Sequence, residues 1–184
     1  LFMETPQATF GTQFWQSIGG SVTRDTTAAR DPLGLSSWKC DSGAGNATAY
    51  VSKQTSTMGA NAGARYSFYL YLADLPSSSV NLLSGVRGSP VAIRVTSAGV
   101  LQLWDIVGNS QLGSNGSTLS TGILYRLTLV QKTNASSQIS DAKLFFNGTQ
   151  DIAVTGLTLT NPDYYTWNGW NEAPGANKVL NISH

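Results

Sequence analysis

The residues able to break bonds are few and scattered. Cleaving a glycosidic bond takes two carboxyl groups facing one cleft, one acting as acid and the other as base or nucleophile. The chain has only two glutamates, Glu4 and Glu172, and they lie far apart. Asp105, Asp141, Asp151 and Asp163 stand singly, where capping a turn or loop is the expected role. The one histidine, His184, is the last residue, so neither a histidine-dependent triad nor a histidine-rich metal site can be assembled. Cys40 is the only cysteine, so no intrachain disulfide forms. A small buried hydrophobe is its expected role, with an intermolecular bridge or a reactive thiol as the alternatives. No enzyme is expected from these residues.

Recognition is better supplied. Tyr69, Tyr71, Arg94, Gln102, Trp104, Arg126, Lys143 and Phe145 fall at alternate positions of strand-like segments. That places them on the face opposite the core. Sugar rings present apolar C–H faces between hydroxyls, and flat aromatic rings beside Arg, Gln and Lys donors recognise them by stacking and hydrogen bonding. The same side chains could instead lie under a loop or meet a protein partner. A second constellation, Tyr164, Tyr165, Trp167 and Trp170, sits in the stretch NPDYYTWNGWNEAPGAN, read as a long aromatic loop from Asn161 to Asn177. Trp and Tyr are enriched at interface hot spots, so self-association through this loop is expected. A loop tacked down by its own rings and a glycan edge are the alternatives.

Partners are narrowed by composition. Across 184 residues the formal net charge is +1, which leaves no electrostatic footprint for nucleic acid or an anionic membrane. Charged residues make up 11%, against roughly 25% in an average domain. Ser, Thr, Gly and Asn supply the polarity instead, a surface typical of extracellular, cell-surface or virion proteins. No apolar run approaches the ~18 residues of a membrane span, so no membrane insertion is expected. The opening LFMETPQATF has no basic start and no long apolar run, so an exported protein would be represented here by its mature form or a fragment. Asp41 to Asn46 and Asn161 to Asp163 offer oxygen ligands without a recognisable loop motif, so no cofactor is expected. Asn-x-Ser/Thr triplets begin at Asn46, Asn115, Asn134, Asn147 and Asn181, and matter only where secreted proteins are glycosylated.

These side chains must be positioned by strands. Val91 to Trp104 alternates apolar and polar residues on either side of Ser97-Ala98-Gly99, the pattern of a hairpin whose turn uses the conformational freedom of glycine. Arg65 to Leu72 places Phe68, Leu70 and Leu72 on one face and Ser67, Tyr69 and Tyr71 on the other. Ile123 to Gln131 alternates again, Ala142 to Phe146 ends in the turn former Asn147-Gly148, and Ile152 to Leu159 is its partner. Leu1 to Met3, Ser21 to Thr27, Leu35 to Cys40, Ala47 to Lys53, Val80 to Val86 and Lys178 to Ile182 complete the strand candidates. Gly108 to Gly116 reads as a loop. No helical period is sustained, so a single all-β domain spanning 1–184, an antiparallel β-sandwich, is expected.

In this order the chain resembles the concanavalin A-like lectin/glucanase superfamily, and within it the laminin-G-like jelly rolls. The likeness rests on Phe2-Met3-Glu4, Gly34 to Cys40, Arg65 to Pro76, Val91 to Asp105, Leu119 to Gln131 and Ala142 to Thr149. The acidic pair usual in the closing strand is missing from Lys178 to Ile182. The resemblance implies a jelly-roll sandwich and adds a structural calcium at the sandwich rim as a lesser alternative to no cofactor. It also implies that a glucanase would carry E-x-D-x-x-E and a lyase a histidine with Tyr-x-Lys; both patterns are absent. The leading functional expectation is a non-catalytic binding or attachment module for glycans or cell-surface polysaccharide. A self-associating structural subunit, such as a phage decoration or filament protein, and a glycan-cleaving enzyme with an atypical site are the alternatives.

Overall fold

The structure, a computed structural model, describes residues 17–19, 21–27, 37–54, 58–86, 91–159 and 165–183. The expected opening strand, Leu1 to Met3, lies outside the described residues. Among the described residues every regular element is a strand. They are β1 (Ser17–Gly19), β2 (Ser21–Asp25), β3 (Ser37–Asp41), β4 (Ala49–Gln54), β5 (Gly63–Leu72), β6 (Val80–Val86) and β7 (Val91–Val95), followed by β8 (Leu101–Asp105), β9 (Ser110–Leu112), β10 (Leu124–Thr133), β11 (Ile139–Phe146), β12 (Thr149–Leu159), β13 (Tyr165–Trp170) and β14 (Val179–Ser183).

Two antiparallel sheets form the sandwich. The first has the order β1-β4-β13-β6-β7-β8-β9 and the second β12-β11-β10-β5-β14-β3-β2. Alternation along the strands explains the layering. Val91, Ile93 and Val95 of β7 stand opposite Asp105, Leu103 and Leu101 of β8, and these aliphatic side chains point inward. Phe68 and Leu70 of β5 stand beside Leu127 and Tyr125 of β10, Leu72 stands beside Leu180 of β14, and Phe68, Leu70 and Leu72 point inward from the other sheet. Together with Leu129, Leu144, Leu180 and Ile182 they make one continuous core cluster. Each such aliphatic side chain contributes about 1.5–3 kcal/mol by leaving water. Cys40 lies in this cluster, and burial pushes its thiol well above the ordinary range, so it packs as a hydrophobe and is poorly reactive.

The central hairpin closes through Gly99, whose φ of 81° belongs to the left-handed region. A Cβ there would meet the carbonyl oxygen of Leu119, while the Gly99 carbonyl itself accepts from Leu119 N at 2.8 Å. Glycine is thus needed both for the turn and for the close approach of the segment before β10.

Two segments expected to be loops contain strands. Within Gly108 to Gly116, β9 pairs with β8 through Leu112↔Leu103 and Gln111↔Trp104. Within Asn161 to Asn177, β13 lies in the interior of the first sheet, paired with β4 on one side and β6 on the other. That overturns the reading of the aromatic stretch as a surface loop. Trp170 ends β13 with no exposed surface and donates its Nε1–H to the Lys178 carbonyl at 3.1 Å. It is a core residue, unable to serve as an interface anchor while the fold is intact. Tyr164 lies outside the described residues, and Tyr165 and Trp167 are described by their backbone pairing alone.

Candidate functional site

The eight residues expected to share one recognition face lie on two. Arg94 belongs to β7 and Gln102 and Trp104 to β8, in the first sheet. Tyr69 and Tyr71 belong to β5, Arg126 to β10, and Lys143 and Phe145 to β11, in the second. Every one points away from the core, but the outer faces of a two-layer sandwich look in opposite directions. Alternation along a strand distinguishes inward from outward positions. It carries no information on which sheet the strand joins.

On the first sheet, cross-strand register builds a compact patch. Asn81 of β6, Arg94 and Gln102 form one row, and Ala92, Trp104 and Gln111 form the next. The guanidinium carbon of Arg94 lies 4.1 Å from the centre of the Trp104 ring, a cation–π stack, and its Nη2 donates to the Ser79 carbonyl at 3.3 Å. Gln102 Nε2 donates to Gln111 Oε1 at 3.0 Å and to Asn115 Oδ1 at 2.8 Å. Gln111 Nε2 donates to the same Asn115 oxygen at 3.0 Å. On the other side of Arg94, Asn81 Nδ2 donates to Glu172 Oε1 at 2.9 Å, and the Asn81 backbone N–H reaches Glu172 Oε2 at 3.3 Å.

The patch therefore holds an indole fixed by a stacked cation, three amides bound to one another, and one carboxylate held by an asparagine. Arg94 and Glu172 together bring its formal charge to zero. Arg94 Nε and Asn81 Oδ1 are buried without a hydrogen-bond partner among the described residues. Asn81, Gln111, Asn115 and Glu172 were not foreseen. Glu172 and Asn115 lie in irregular segments, so no alternation places them. Asn81 and Gln111 sit at outward positions of strands whose neighbours only the register identifies.

On the second sheet, the rows run Lys132–Asp141, then Arg65–Val130–Lys143, then Ser67–Thr128–Phe145, then Tyr69–Arg126, then Tyr71–Leu124. Ser67 and Thr128 share a hydroxyl–hydroxyl bond of 2.9 Å, which confirms that these side chains stand on one face. Where this face meets β14 it is closed to solvent. Asn181 and Ser183, paired with Tyr71 and Tyr69, are 0% and 2% exposed although they point outward. Tyr69 and Tyr71 are half-buried there, whereas Arg65, Arg126 and Lys132 are exposed. Asn181 Nδ2 is held by Asp25 Oδ2 and Ser37 Oγ, each at 3.0 Å. A buried, engaged amide excludes the sequon at Asn181 as a glycosylation acceptor in the folded chain.

The isolated carboxylates are occupied within the fold. Asp105 Oδ1 accepts from the backbone N–H groups of Val107 and Gly108, each at 3.0 Å. Asp151 accepts from both the backbone N–H and the hydroxyl of Ser117 at 2.8 Å, tying the edge strand β12 to the segment after β9. Asp141 accepts from Ser140 Oγ at 2.9 Å. Asp41 accepts from Gly43 N at 2.9 Å and pairs with Lys39 at 3.2 Å. The Gly43 hydrogen bond and the lysine hold its carboxyl below the usual range, against the opposing effect of partial burial. Ser42 Oγ donates to the Gly175 carbonyl at 2.7 Å and Asn46 Oδ1 accepts from Gly175 N, so the oxygens of 41–46 dock this loop on the segment before β14. No group of three metal-ligating side chains occurs among the described residues. Glu4, Asn161, Asp163 and His184 lie outside them.

No family model and no curated protein matches the sequence. Solved structures match in fold. An endo-β-1,4-glucuronan lyase from the fungus Trichoderma reesei aligns over 98% of this chain and 91% of its own, with a TM-score of 0.66 and 11% identity. A carbohydrate esterase from the Shiga toxin-encoding bacteriophage phi24B aligns over 97% and 91%, at 0.62 and 13%. The binding domain of Paraclostridial mosquitocidal protein 1 aligns over 91% of this chain at 0.64 and 13%, and the chain spans 42% of that structure's length. At such identities the likeness extends to the fold alone: this chain is an all-β antiparallel sandwich of the jelly-roll class.

Proposed function

We propose that this chain is a non-catalytic glycan-binding module of the concanavalin A-like, laminin-G-like kind, serving attachment at an extracellular or virion surface. The observation that carries the reading is the Arg94–Trp104 stack at 4.1 Å beside the amides of Gln102, Gln111 and Asn115. A fixed indole supplies apolar surface for the C–H face of a pyranose. Amides arranged around it supply both donors and acceptors, the complement of sugar hydroxyls. Because the side chains already hold one another, binding would order little that is free, and less affinity is lost to conformational entropy. The near-zero charge of the patch favours a neutral sugar. Several chains in one assembly would raise the weak affinity of a single shallow site by avidity.

A glycan array followed by titration of the best ligand tests the reading, with wild type and Trp104→Ala compared. The expected loss is roughly 1–3 kcal/mol, the scale of one aromatic anchor, with the circular dichroism spectrum unchanged. Unchanged affinity in the folded variant would remove Trp104 from the site. Release of shortened products from a polysaccharide by the wild-type protein would overturn the non-catalytic reading.

A further inference from the structure

The second outer face has a chemistry of its own. On the block formed by β5, β10 and β11, Arg65, Arg126, Lys132 and Lys143 all stand outward, spread along and across three adjacent strands. Strands lie about 4.8 Å apart and rise about 3.3 Å per residue, so the four cations cover a rectangle of about 10 Å by 20 Å. Among the described residues none of the four makes a side-chain hydrogen bond or an ion pair. Elsewhere, Lys39 is paired with Asp41 at 3.2 Å and Arg94 is stacked on Trp104, while Arg24 and Lys178 stand apart from the block. One acid of these three strands shares the face: Asp141 stands opposite Lys132 and is bonded to Ser140, whereas Asp151 of β12 is engaged by Ser117 of the segment that pairs with Leu101 in the first sheet. Four cations against the Asp141 carboxylate leave this block net positive, on a chain whose formal net charge is only +1.

We infer that this block is a docking surface for an acidic polysaccharide, a chain carrying carboxylate or sulfate groups at regular intervals. Arg126 and Arg65 present planar donor forks that match carboxylate and sulfate oxygens, and the two lysines add point charges. Phe145, half-buried between Thr128 and the exposed edge, gives a sugar ring an apolar contact in the same row system. Nucleic acid is the weaker occupant. A duplex carries one charge per ~1.7 Å and needs an extended positive field. Here the basic block ends where Asp25 and Asp41 stand on the same outer face at the β2–β3 edge. The inference is independent of Trp104, which faces the opposite way.

The test is calorimetric titration with polygalacturonate and with heparin, with a DNA duplex as the competing polyanion. Wild type, Arg126→Ala/Lys143→Ala and Trp104→Ala are compared. The double variant should bind the acidic polysaccharide at least tenfold more weakly with an unchanged melting curve, Trp104→Ala should bind as wild type does, and added salt should weaken both. Preference for polygalacturonate would assign carboxylate, and preference for heparin sulfate. Retained affinity in the double variant, no binding of either polysaccharide at low salt, tighter binding of DNA, or loss of binding in Trp104→Ala would overturn it. An Arg126→Lys/Lys143→Arg variant keeps the charge and should retain most of the affinity, which guards against a change in packing.

Discussion

Trp170 reaches across from the end of β13 to donate its indole N–H to the carbonyl of Lys178, at 3.1 Å, from a position with no exposed surface. The bond links an interior strand of the first sheet to the residue that leads into β14 of the second. Trp170→Ala should leave a large cavity and an unpaired carbonyl, costing about 3–5 kcal/mol. Trp170→Phe should recover most of the packing and lose the hydrogen bond. Urea unfolding of the two variants separates these contributions, and equal losses would show that the hydrogen bond, not the ring volume, governs the site.

Arg94→Lys separates charge from stacking. Lysine keeps the positive charge but lacks the flat guanidinium that lies over Trp104. Affinity for the glycan selected on the first sheet should fall by about 0.5–1 kcal/mol while the fold is retained. Titration calorimetry reads the change, and unchanged affinity would mean that the stack does not preorganise the indole.

Asp151→Ala removes the acceptor that holds both Ser117 N and Ser117 Oγ at 2.8 Å. The loss should be about 1–3 kcal/mol, because a charged acceptor with two donors is replaced by a methyl group. Hydrogen exchange should accelerate first at the backbone N–H of Ser117, and unchanged protection there would show that the clamp is dispensable.

Acid should weaken the 41–46 loop. Asp41 has a folded-state pKa below its unfolded value, chiefly through the Gly43 hydrogen bond. Its contribution is present above the unfolded value and is lost as pH falls through the folded one. Comparing wild type with Asp41→Asn by urea unfolding between about pH 6 and pH 3 should therefore show a gap that narrows on acidification. A gap that widened would reverse the assigned direction.

Much of the fold was legible because strand alternation is a local property. Phe68, Leu70 and Leu72, or Val91, Ile93 and Val95, declare a buried face whatever surrounds them, and Asn147-Gly148 declares a hairpin whose residues both take positive φ. The same alternation placed Arg94, Trp104, Arg126 and Lys143 outward, as observed. The sequence left sheet membership open. β5 and β10 belong to one layer and β7 and β8 to the other because of pairings between distant segments, and that assignment divided one expected face into two. β13 was hidden for a related reason. Its Asn, Gly and Trp residues look like a loop until β4 and β6 supply hydrogen-bonding partners on both sides, which turns a polar, aromatic segment into an interior strand with Trp170 in the core. Glu172 and Asn115 reached the Trp104 patch by the same means: neither has a periodic signature, and only the tertiary register brought them beside the residues they now hold.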